Sequence, residues 1–308
     1  MSFDIVFMGT PEFSRVFLEH IHLDEKFKIK AVYTQPPKKS DRGQKINLSA
    51  VHQFAKEKGL DTFCPSQFSD TDISNIRKIK PDVILVIAYG LILPEEALMI
   101  PSCGSVNVHA SLLPRWRGAA PIQRSIMNGD KTTGISIMKM EKKLDEGPIY
   151  LQTKIPIREN DTYADVEKTL IEAGKQTLDI YFSGHQPFWP QQQNSKLATY
   201  AKKIDKKEAE INFRDSAFVI HKKVCAFSPK PGAWFKMNSE KYKIFDTEFI
   251  TKEKIINFKN TKKLIFSCEK DYLLVNKIQK EGKNIMTVED FSRGYPKELE
   301  EIKKICFK

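Results

Sequence analysis

The chain has 308 residues, 41% of them hydrophobic, and a net charge of +11, which predicts two globular domains rather than one. No apolar run approaches the roughly 18 residues needed to span a bilayer, and no basic region precedes a hydrophobic stretch at the start, so we expect a cytoplasmic protein without membrane contacts. The five cysteines are scattered and include no C-x-x-C pair, which argues against a disulfide framework and a zinc site.

The first 110 residues alternate strand and helix patterns. Apolar segments rich in β-branched residues predict strands at 3–9, 27–34, 81–90 and 105–110. Amphipathic segments predict helices at 11–21 and 47–59, the second with Ser49 as its N-cap. This alternation indicates an α/β fold with a Rossmann-like, mostly parallel sheet covered on both faces. Ligands bind such sheets at the carboxyl ends of the strands.

Two more strands and a long helix complete the predicted α/β domain. The strands are expected at 133–140 and 148–157, and the amphipathic helix at roughly 162–182. A stretch with two prolines and a run of glutamines follows and is typical of a linker. We therefore place the first domain at residues 1–183 and the linker at 184–204.

Residues 205–308 are expected to form a smaller, OB-like β-barrel. A helical stretch is expected first, at "YAKKIDKKEAEINF" (200–213), followed by short strands at 232–237, 241–250, 263–268 and 272–279. Residues 201–308 hold 25 Lys and Arg against 16 Asp and Glu, a net charge of +9. This excess favours a polyanion such as a nucleic acid as a partner, although a lysine-rich genome would produce the same composition.

The candidate chemistry begins with Asn107 and His109 at the end of a predicted strand. Residues two apart on a strand project from the same face. The amide can donate to an oxygen that gains negative charge, and the imidazole can exchange a proton near neutral pH. Asp145, just after another strand, could pair with His109 and favour its protonated form. A hydrogen-bonded polar pair and a turn carboxylate are the alternatives without catalysis.

Other familiar site types find little support. The segment "MGTPEF" has a single glycine and lacks G-x-G-x-x-G, and the chain has no P-loop. His20 and His22 have no obvious third ligand, so a solvated helix end is favoured over a metal site. The segment 35–45 is a predicted loop that contains four cations, Lys38, Lys39, Arg42 and Lys45. Two interpretations are equally favoured: a solvated surface loop, and a mobile loop that contacts phosphates.

The segment "NVHASLLPRWRGAAPIQR" (107–124), followed by "GDKTTGISIMKMEKKLDEG" (129–147), resembles the catalytic core of the folate-dependent formyltransferases. The resemblance extends in order over nearly the whole chain, through "MGTPEF", "YTQP", "AYGLILP", "KIDKKEAEINF", "AFSPKPGAWF" and "GKNIMTVEDFSRG". It implies transfer of the formyl group of 10-formyltetrahydrofolate to the α-amine of methionine on initiator methionyl-tRNA, without a metal. Nothing in the sequence requires more than a monomer.

The resemblance also implies roles for individual residues. Asn107 and protonated His109 would hold the oxyanion, and Asp145 would keep His109 charged and help to move protons. The folate would contact two strand ends and a loop, at Ala88, Tyr89, Gly90, Leu91, Ser111, Leu112, Leu113, Pro114, Met140 and Leu144. The basic loop and the C-terminal barrel would bind tRNA. The roles of Trp116 and of its neighbours Arg115 and Arg117 stay open between RNA contact and packing.

Two alternatives remain on the sequence alone. One is a formyltransferase whose acceptor is the amine of a sugar nucleotide or of glycinamide ribonucleotide, since these enzymes share the Asn, His and Asp. The other is a noncatalytic RNA-binding protein with a degenerate enzyme domain. The basic loop, "RWRGAAP" and the charge of the last third favour tRNA as the acceptor, and the presence of all three polar residues favours an enzyme.

Overall fold

A computed structural model describes residues 2–40, 45–183, 189–255 and 263–305, which divide into two compact units. The first unit comprises Met1–Pro121, Thr133–Ile155 and Glu167–Lys202. The second comprises Ile122–Thr132, Pro156–Val166 and Lys203–Lys308. Two short segments from the region expected to form the first domain are therefore grouped with the C-terminal third, which the sequence patterns did not indicate.

The elements follow one another in three stretches of chain. The first contains β1 (Phe3–Gly9), α1 (Glu12–His22), β2 (Phe27–Tyr33), β3 (Lys38–Ser40), β4 (Lys45–Asn47), α2 (Ala50–Glu57), β5 (Thr62–Phe63), α3 (Asp70–Ile79), β6 (Val83–Ile87), α4 (Glu95–Leu98) and β7 (Ser105–His109). The second contains β8 (Arg117–Gly118), α5 (Pro121–Met127), β9 (Thr132–Lys139), β10 (Ile149–Pro156), α6 (Tyr163–Phe182) and β11 (Tyr200–Ala201). The third contains α7 (Ala217–Phe227), β12 (Ala233–Met237), β13 (Glu240–Ile250), β14 (Leu264–Ser267), β15 (Tyr272–Lys280), β16 (Met286–Thr287), α8 (Val288–Gly294) and α9 (Pro296–Ile305).

A seven-stranded sheet with the order β10-β9-β7-β6-β1-β2-β5 forms the centre of the first unit. The five strands from β7 to β5 are parallel, and β9 is antiparallel to β7. Every residue of β6 and β7 is buried, as expected for a sheet covered on both faces. The predicted mostly parallel α/β sheet is thus confirmed, and β6 and β7 lie side by side, which places the segments after them at one edge.

Two segments expected to be irregular have regular backbone. Lys38–Ser40 and Lys45–Asn47 pair as antiparallel strands, whereas the sequence suggested a loop over 35–45. Within the expected linker, Gln191 exchanges backbone hydrogen bonds with Ile149, and β11 pairs with β8. Pairings of one to three residues are too short to give a periodic signal, so sequence patterns do not detect them.

The second unit contains a curled antiparallel sheet, with the order β12-β13-β15-β14 and with β16 on β15. Its four longer strands coincide with the expected ones. Its core combines aliphatic and aromatic side chains, and the partly buried Phe213 stacks on the buried Phe266, 4.3 Å apart between ring centroids. The helical stretch expected at 200–213 is wrong, because this segment holds only the strand β11 and a 3-10 turn at Lys206–Ala209. The first α-helix after it is α7, which buries Ile220 and Val224. No helix within the described ranges is long and apolar enough to cross a membrane.

Candidate active site

Asn107 and His109 lie on β7, the strand beside β6 in the parallel sheet. Both side chains are almost fully buried, with relative exposures of 9% and 6%. His109 is the last residue of the strand, and Asn107 pairs in register with Val86 of β6. The period of two along a strand puts both polar groups on one face near its carboxyl end.

Asp145 reaches the same place from the loop between β9 and β10. The loop returns on itself because the amide of Lys139 donates to Pro148 O at 2.9 Å. Gly147 lies so close to the Lys139 carbonyl that a Cβ there would collide with it. Asp145 itself has a φ of +53°, a left-handed conformation that is uncommon for a residue other than glycine. The tight return turns the carboxylate toward the end of β7.

The three polar side chains converge around the Asp145 carboxylate. Its Oδ2 lies 3.7 Å from Nδ1 of His109 and accepts a hydrogen bond from the Gly118 amide at 2.8 Å. Its Oδ1 lies 3.5 Å from Nδ2 of Asn107. One oxygen is therefore fixed by the backbone, and the other faces the Asn107 amide. The Asp145 and His109 side chains are only 9% and 7% exposed, so their interaction is little screened by solvent.

The His109 ring faces oxygen atoms at both nitrogens. Nε2 lies 2.9 Å from Trp116 O, and a carbonyl can only accept, so Nε2 carries a hydrogen. Nδ1 faces the Asp145 carboxylate. With a hydrogen on each ring nitrogen, His109 would offer a donor to both of these oxygens.

The turn at 115–118 supplies two backbone groups to this arrangement. Trp116 provides the carbonyl that orients His109, and Gly118 provides the N–H that holds Asp145. Gly118 has a φ of +119°, and a Cβ on it would lie 2.7 Å from Ala201 O, so only glycine fits. Its neighbour Arg117 anchors the turn through its amide, which donates to Thr199 O.

Arg117 and Gln193 join the turn to the Asp145 loop. Arg117 is 2% exposed, and its Nε and Nη2 donate to Gln193 Oε1 at 3.1 and 2.9 Å. Its Nη1 lies 3.3 Å from Glu146 Oε1. The Gln193 amide donates to Asp145 O and Gly147 O. Arg117 therefore holds the Asp145 loop in place. Its neighbour Arg115 lies with its guanidinium over the Trp116 ring, 4.6 Å from the ring centroid.

Sequence patterns did not identify Gln193, Gly118 or the Trp116 carbonyl as parts of the site. Gln193 lies 48 residues from Asp145 and 76 from Arg117 along the chain. Its only sequence signal was the run "QQQ", which suggested a linker. A backbone carbonyl and a backbone amide leave no signature in residue type, although the glycine at 118 was one available hint.

The residues expected to bind folate fall into three groups. Tyr89, Leu91 and Met140 share one apolar cluster with Val86 of β6. Leu113 belongs to a turn that is fixed by hydrogen bonds from its amide to Ser136 and from Gln152 to its carbonyl; Ser111, Leu112 and Pro114 complete this turn. Ala88, Gly90 and Leu144 are exposed, with Leu144 next to Asp145. Two of these segments follow the neighbouring strands β6 and β7.

Three of the four cations expected to contact tRNA belong to the β3–β4 pair. Lys38 and Lys39 belong to β3, and Lys45 begins β4. Arg42 lies outside the described residues. In the parts of the chain that are described, no group of three or more His, Cys, Asp or Glu side chains could hold a metal ion.

Family models match both parts of the chain. A model described as formyl transferase matches residues 3–179, and a model described as formyl transferase, C-terminal domain, matches residues 203–296. Among curated proteins, the methionyl-tRNA formyltransferase of Rhizobium rhizogenes is 40% identical over 304 residues, covering 96% of both chains. That of Rickettsia bellii is 36% identical, covering 94% of this chain and 96% of its own.

Solved structures with similar folds are more distant in sequence. The N-formyltransferase of Helicobacter canadensis, solved with folinic acid and dTDP-3-aminofucose, has a TM-score of 0.64 and 18% identity. The match covers 91% of this chain and all of that one, 100%. HypX from Aquifex aeolicus, solved with tetrahydrofolic acid, has a TM-score of 0.58 and 13% identity, covering 96% of this chain and 48% of that one. At these identities the likeness concerns the fold.

Proposed function

The chain belongs to the formyl transferase family, and on this premise we propose that it transfers a formyl group from 10-formyltetrahydrofolate to the α-amino group of methionine on initiator methionyl-tRNA. The relatives named methionyl-tRNA formyltransferase cover nearly the whole chain at about 40% identity, which supports this acceptor. The observation that carries the chemistry is the convergence of Asn107, His109 and Asp145. The product would be formylmethionyl-tRNA, the aminoacyl-tRNA that initiates translation.

The two nitrogen donors of the site stabilise the oxygen of the tetrahedral intermediate. As the methionine amine attacks the formyl carbon, the carbonyl oxygen becomes an oxyanion. Nδ2 of Asn107 and Nδ1 of His109 lie 3.5 and 3.7 Å from the Asp145 oxygens, longer than a strong hydrogen bond. Neither donor is therefore committed to the carboxylate by a strong hydrogen bond, so both remain available to a reacting oxygen.

The two oxygens of Asp145 have different surroundings and different roles. Oδ2 is held by the Gly118 amide and faces His109, so it balances the positive charge of the imidazolium. Oδ1 faces Asn107 and accepts the proton that the attacking amine loses. The proton then passes to the folate nitrogen as its bond to the formyl carbon breaks. Tetrahydrofolate leaves, and one new carbon–nitrogen bond has replaced another.

The folate and tRNA contacts continue the same proposal. The donor lies against the segments after β6 and β7 and against Met140, where Tyr89 and Leu91 share an apolar cluster with Met140. The tRNA acceptor end contacts the β3–β4 segment with Arg42, and the +9 charge of residues 201–308 supports phosphate binding by the C-terminal domain. Accordingly, residues 1–183 form the catalytic domain and 205–308 the tRNA-binding domain.

The protein acts in the cytoplasm and as a monomer in this proposal. Its acceptor is a charged tRNA, which supports the location. All three polar groups of the site come from one chain, which supports catalysis without a second copy.

An acceptor comparison tests the function. The purified protein is incubated with 10-formyltetrahydrofolate and either methionyl-tRNA or dTDP-3-aminofucose, and blocked amino groups are measured. We expect formylation of methionyl-tRNA and no turnover of the amino sugar. Turnover of the sugar without product on tRNA would overturn the acceptor, and no turnover of either would overturn the enzymatic assignment.

A further inference from the structure

The side chain of Gln193 makes four hydrogen bonds beside the candidate active site. Its Nε2 donates to Asp145 O at 2.8 Å and to Gly147 O at 2.7 Å. Its Oε1 accepts from Nε and Nη2 of Arg117 at 3.1 and 2.9 Å. An amide has two N–H donors and one oxygen with two lone pairs, so these bonds use its full capacity.

The surroundings of Gln193 determine which way the amide points. Its oxygen faces a guanidinium, which only donates, and its nitrogen faces two carbonyls, which only accept. A reversed amide would place an oxygen against two carbonyl oxygens. No other uncharged side chain of similar size carries both an accepting oxygen for the guanidinium and a nitrogen with two hydrogens for the carbonyls.

Gln193 connects the two backbone segments that orient the catalytic carboxylate. One is the loop carrying Asp145, which Gln193 holds at two carbonyls. The other is the turn around Arg117, whose neighbours supply Gly118 N–H to Asp145 and Trp116 O to His109. The single amide therefore connects the loop that carries Asp145 to the turn whose backbone contacts Asp145 and His109.

The segment that carries Gln193 is itself fixed to the first unit on both sides. Two residues before it, Gln191 exchanges two backbone hydrogen bonds of 2.8 Å with Ile149. Seven residues after it, Tyr200 and Ala201 pair with Arg117 and Gly118. Because its backbone is anchored at both ends, the Gln193 side chain has a fixed origin from which to hold the loop.

We propose that Gln193 is a positioning residue for formyl transfer, which holds the Asp145 carboxylate in register with Asn107 and His109 and does not touch the substrates. This inference rests on the proposed function of the same site. A positioning role predicts loss of kcat rather than of substrate binding, since displacement of a catalytic group by about 1 Å costs on the order of 10²-fold in rate.

Gln193→Glu tests the proposal with the least change in shape. The carboxylate keeps the contact with Arg117 but places an oxygen against Asp145 O and Gly147 O, so the loop is pushed away. We expect kcat to fall on the order of 10²-fold, with KM for both substrates within about 3-fold of wild type. Gln192→Glu is the matched control, because it makes the same charge change at the exposed neighbouring residue.

A double-variant comparison separates positioning from general damage. If Gln193 acts through Asp145, then adding Gln193→Glu to Asp145→Asn causes little further loss, because the group being positioned is already gone. Equal losses from Gln193→Glu in both backgrounds would overturn the proposal, as would a kcat equal to that of Gln192→Glu. Should Gln193→Glu fail to fold, as judged by its thermal transition, the neutral Gln193→Met replaces it in the same comparisons.

The same assays distinguish this proposal from the proposed function. An inactive wild-type protein, or an Asp145→Asn variant as fast as wild type, would contradict the function or the catalytic site itself. An active wild type and an impaired Asp145→Asn, together with a fully active Gln193→Glu, would leave the function intact and overturn only the positioning role.

Discussion

Replacement of Asp145 by Asn removes the negative charge of the site and keeps its shape. Opposite unit charges at the 3.7 Å between His109 Nδ1 and Asp145 Oδ2 attract by about 4.5 kcal/mol at an effective dielectric constant near 20. Both side chains are more than nine-tenths buried, so solvent reduces this little. If the protonated His109 stabilises the oxyanion, up to this energy is lost from the transition state. We expect kcat to fall by roughly 10²- to 10³-fold.

An asparagine at position 145 cannot replace the hydrogen bonds of the carboxylate in either orientation of its amide, which also predicts a loss of activity. With its oxygen toward the Gly118 amide, its NH₂ faces the Asn107 amide, which also donates. With the opposite orientation, its NH₂ faces the Gly118 N–H. Neither arrangement satisfies all donors, and neither gives the amine proton an ionised acceptor.

The assay is formation of formylmethionyl-tRNA at saturating concentrations of both substrates, with thermal unfolding measured in parallel. Glu141→Gln is the control, because it removes a carboxylate from an exposed position of the same loop. We expect the control to keep the wild-type rate and both variants to stay folded. A folded Asp145→Asn protein with a rate within about 3-fold of wild type would refute the pairing of Asp145 with His109 as a catalytic feature.

Three further predictions concern RNA binding, the glycine turn and pH. Joint replacement of Lys38, Lys39 and Arg42 by Ala should raise KM for methionyl-tRNA and reduce the slope of log KM against log salt concentration by about 2 to 3. An unchanged slope would show that these residues do not contact tRNA phosphates. Gly118→Ala should lower the free energy of unfolding by about 1–3 kcal/mol and reduce kcat, because its φ of +119° and the nearby carbonyl exclude a Cβ; normal urea unfolding and kcat would contradict the close approach. Burial lowers the pKa of His221 in the folded protein. As pH falls below the ordinary histidine pKa near 6.5, the unfolded chain therefore binds a proton that the folded protein does not, and the free energy of unfolding falls by up to about 1.4 kcal/mol per pH unit. His221→Gln should weaken the fall in melting temperature between pH 8 and pH 5.5, and an identical fall in both proteins would contradict the buried neutral ring.

Much of the parallel sheet could be predicted because its strands are rich in apolar and β-branched residues. Such residues form most of β1 and β6, whereas in β2 and β7 they are interspersed with polar side chains. Local capping chemistry was equally informative, since Ser49 accepts a hydrogen bond from the His52 amide as predicted. These features depend on neighbours in the sequence, so their patterns are visible without tertiary structure.

The arrangement around Asp145 depends on contacts between residues far apart in the chain. Asn107 and His109 could be placed together because a strand has a period of two. The approach of Asp145 depends on a tight return of its loop, and the bonds of Gln193 depend on a two-residue pairing of β11 with β8. Neither leaves a periodic signal. The role of Arg117 stayed open between RNA contact and packing, because residue type alone does not show whether an arginine is buried with its donors satisfied or exposed to a ligand.

The position of the formyl group in the complex tests the central claim most directly. A crystal structure of this protein with a formyl-bearing folate analogue would locate that group relative to the three polar side chains. We predict that the formyl oxygen lies within about 3.2 Å of Nδ2 of Asn107 and of a ring nitrogen of His109, with Asp145 on the side from which the amine approaches. A folate bound elsewhere, or with its formyl group directed away from β7, would contradict the assignment of these residues to formyl transfer.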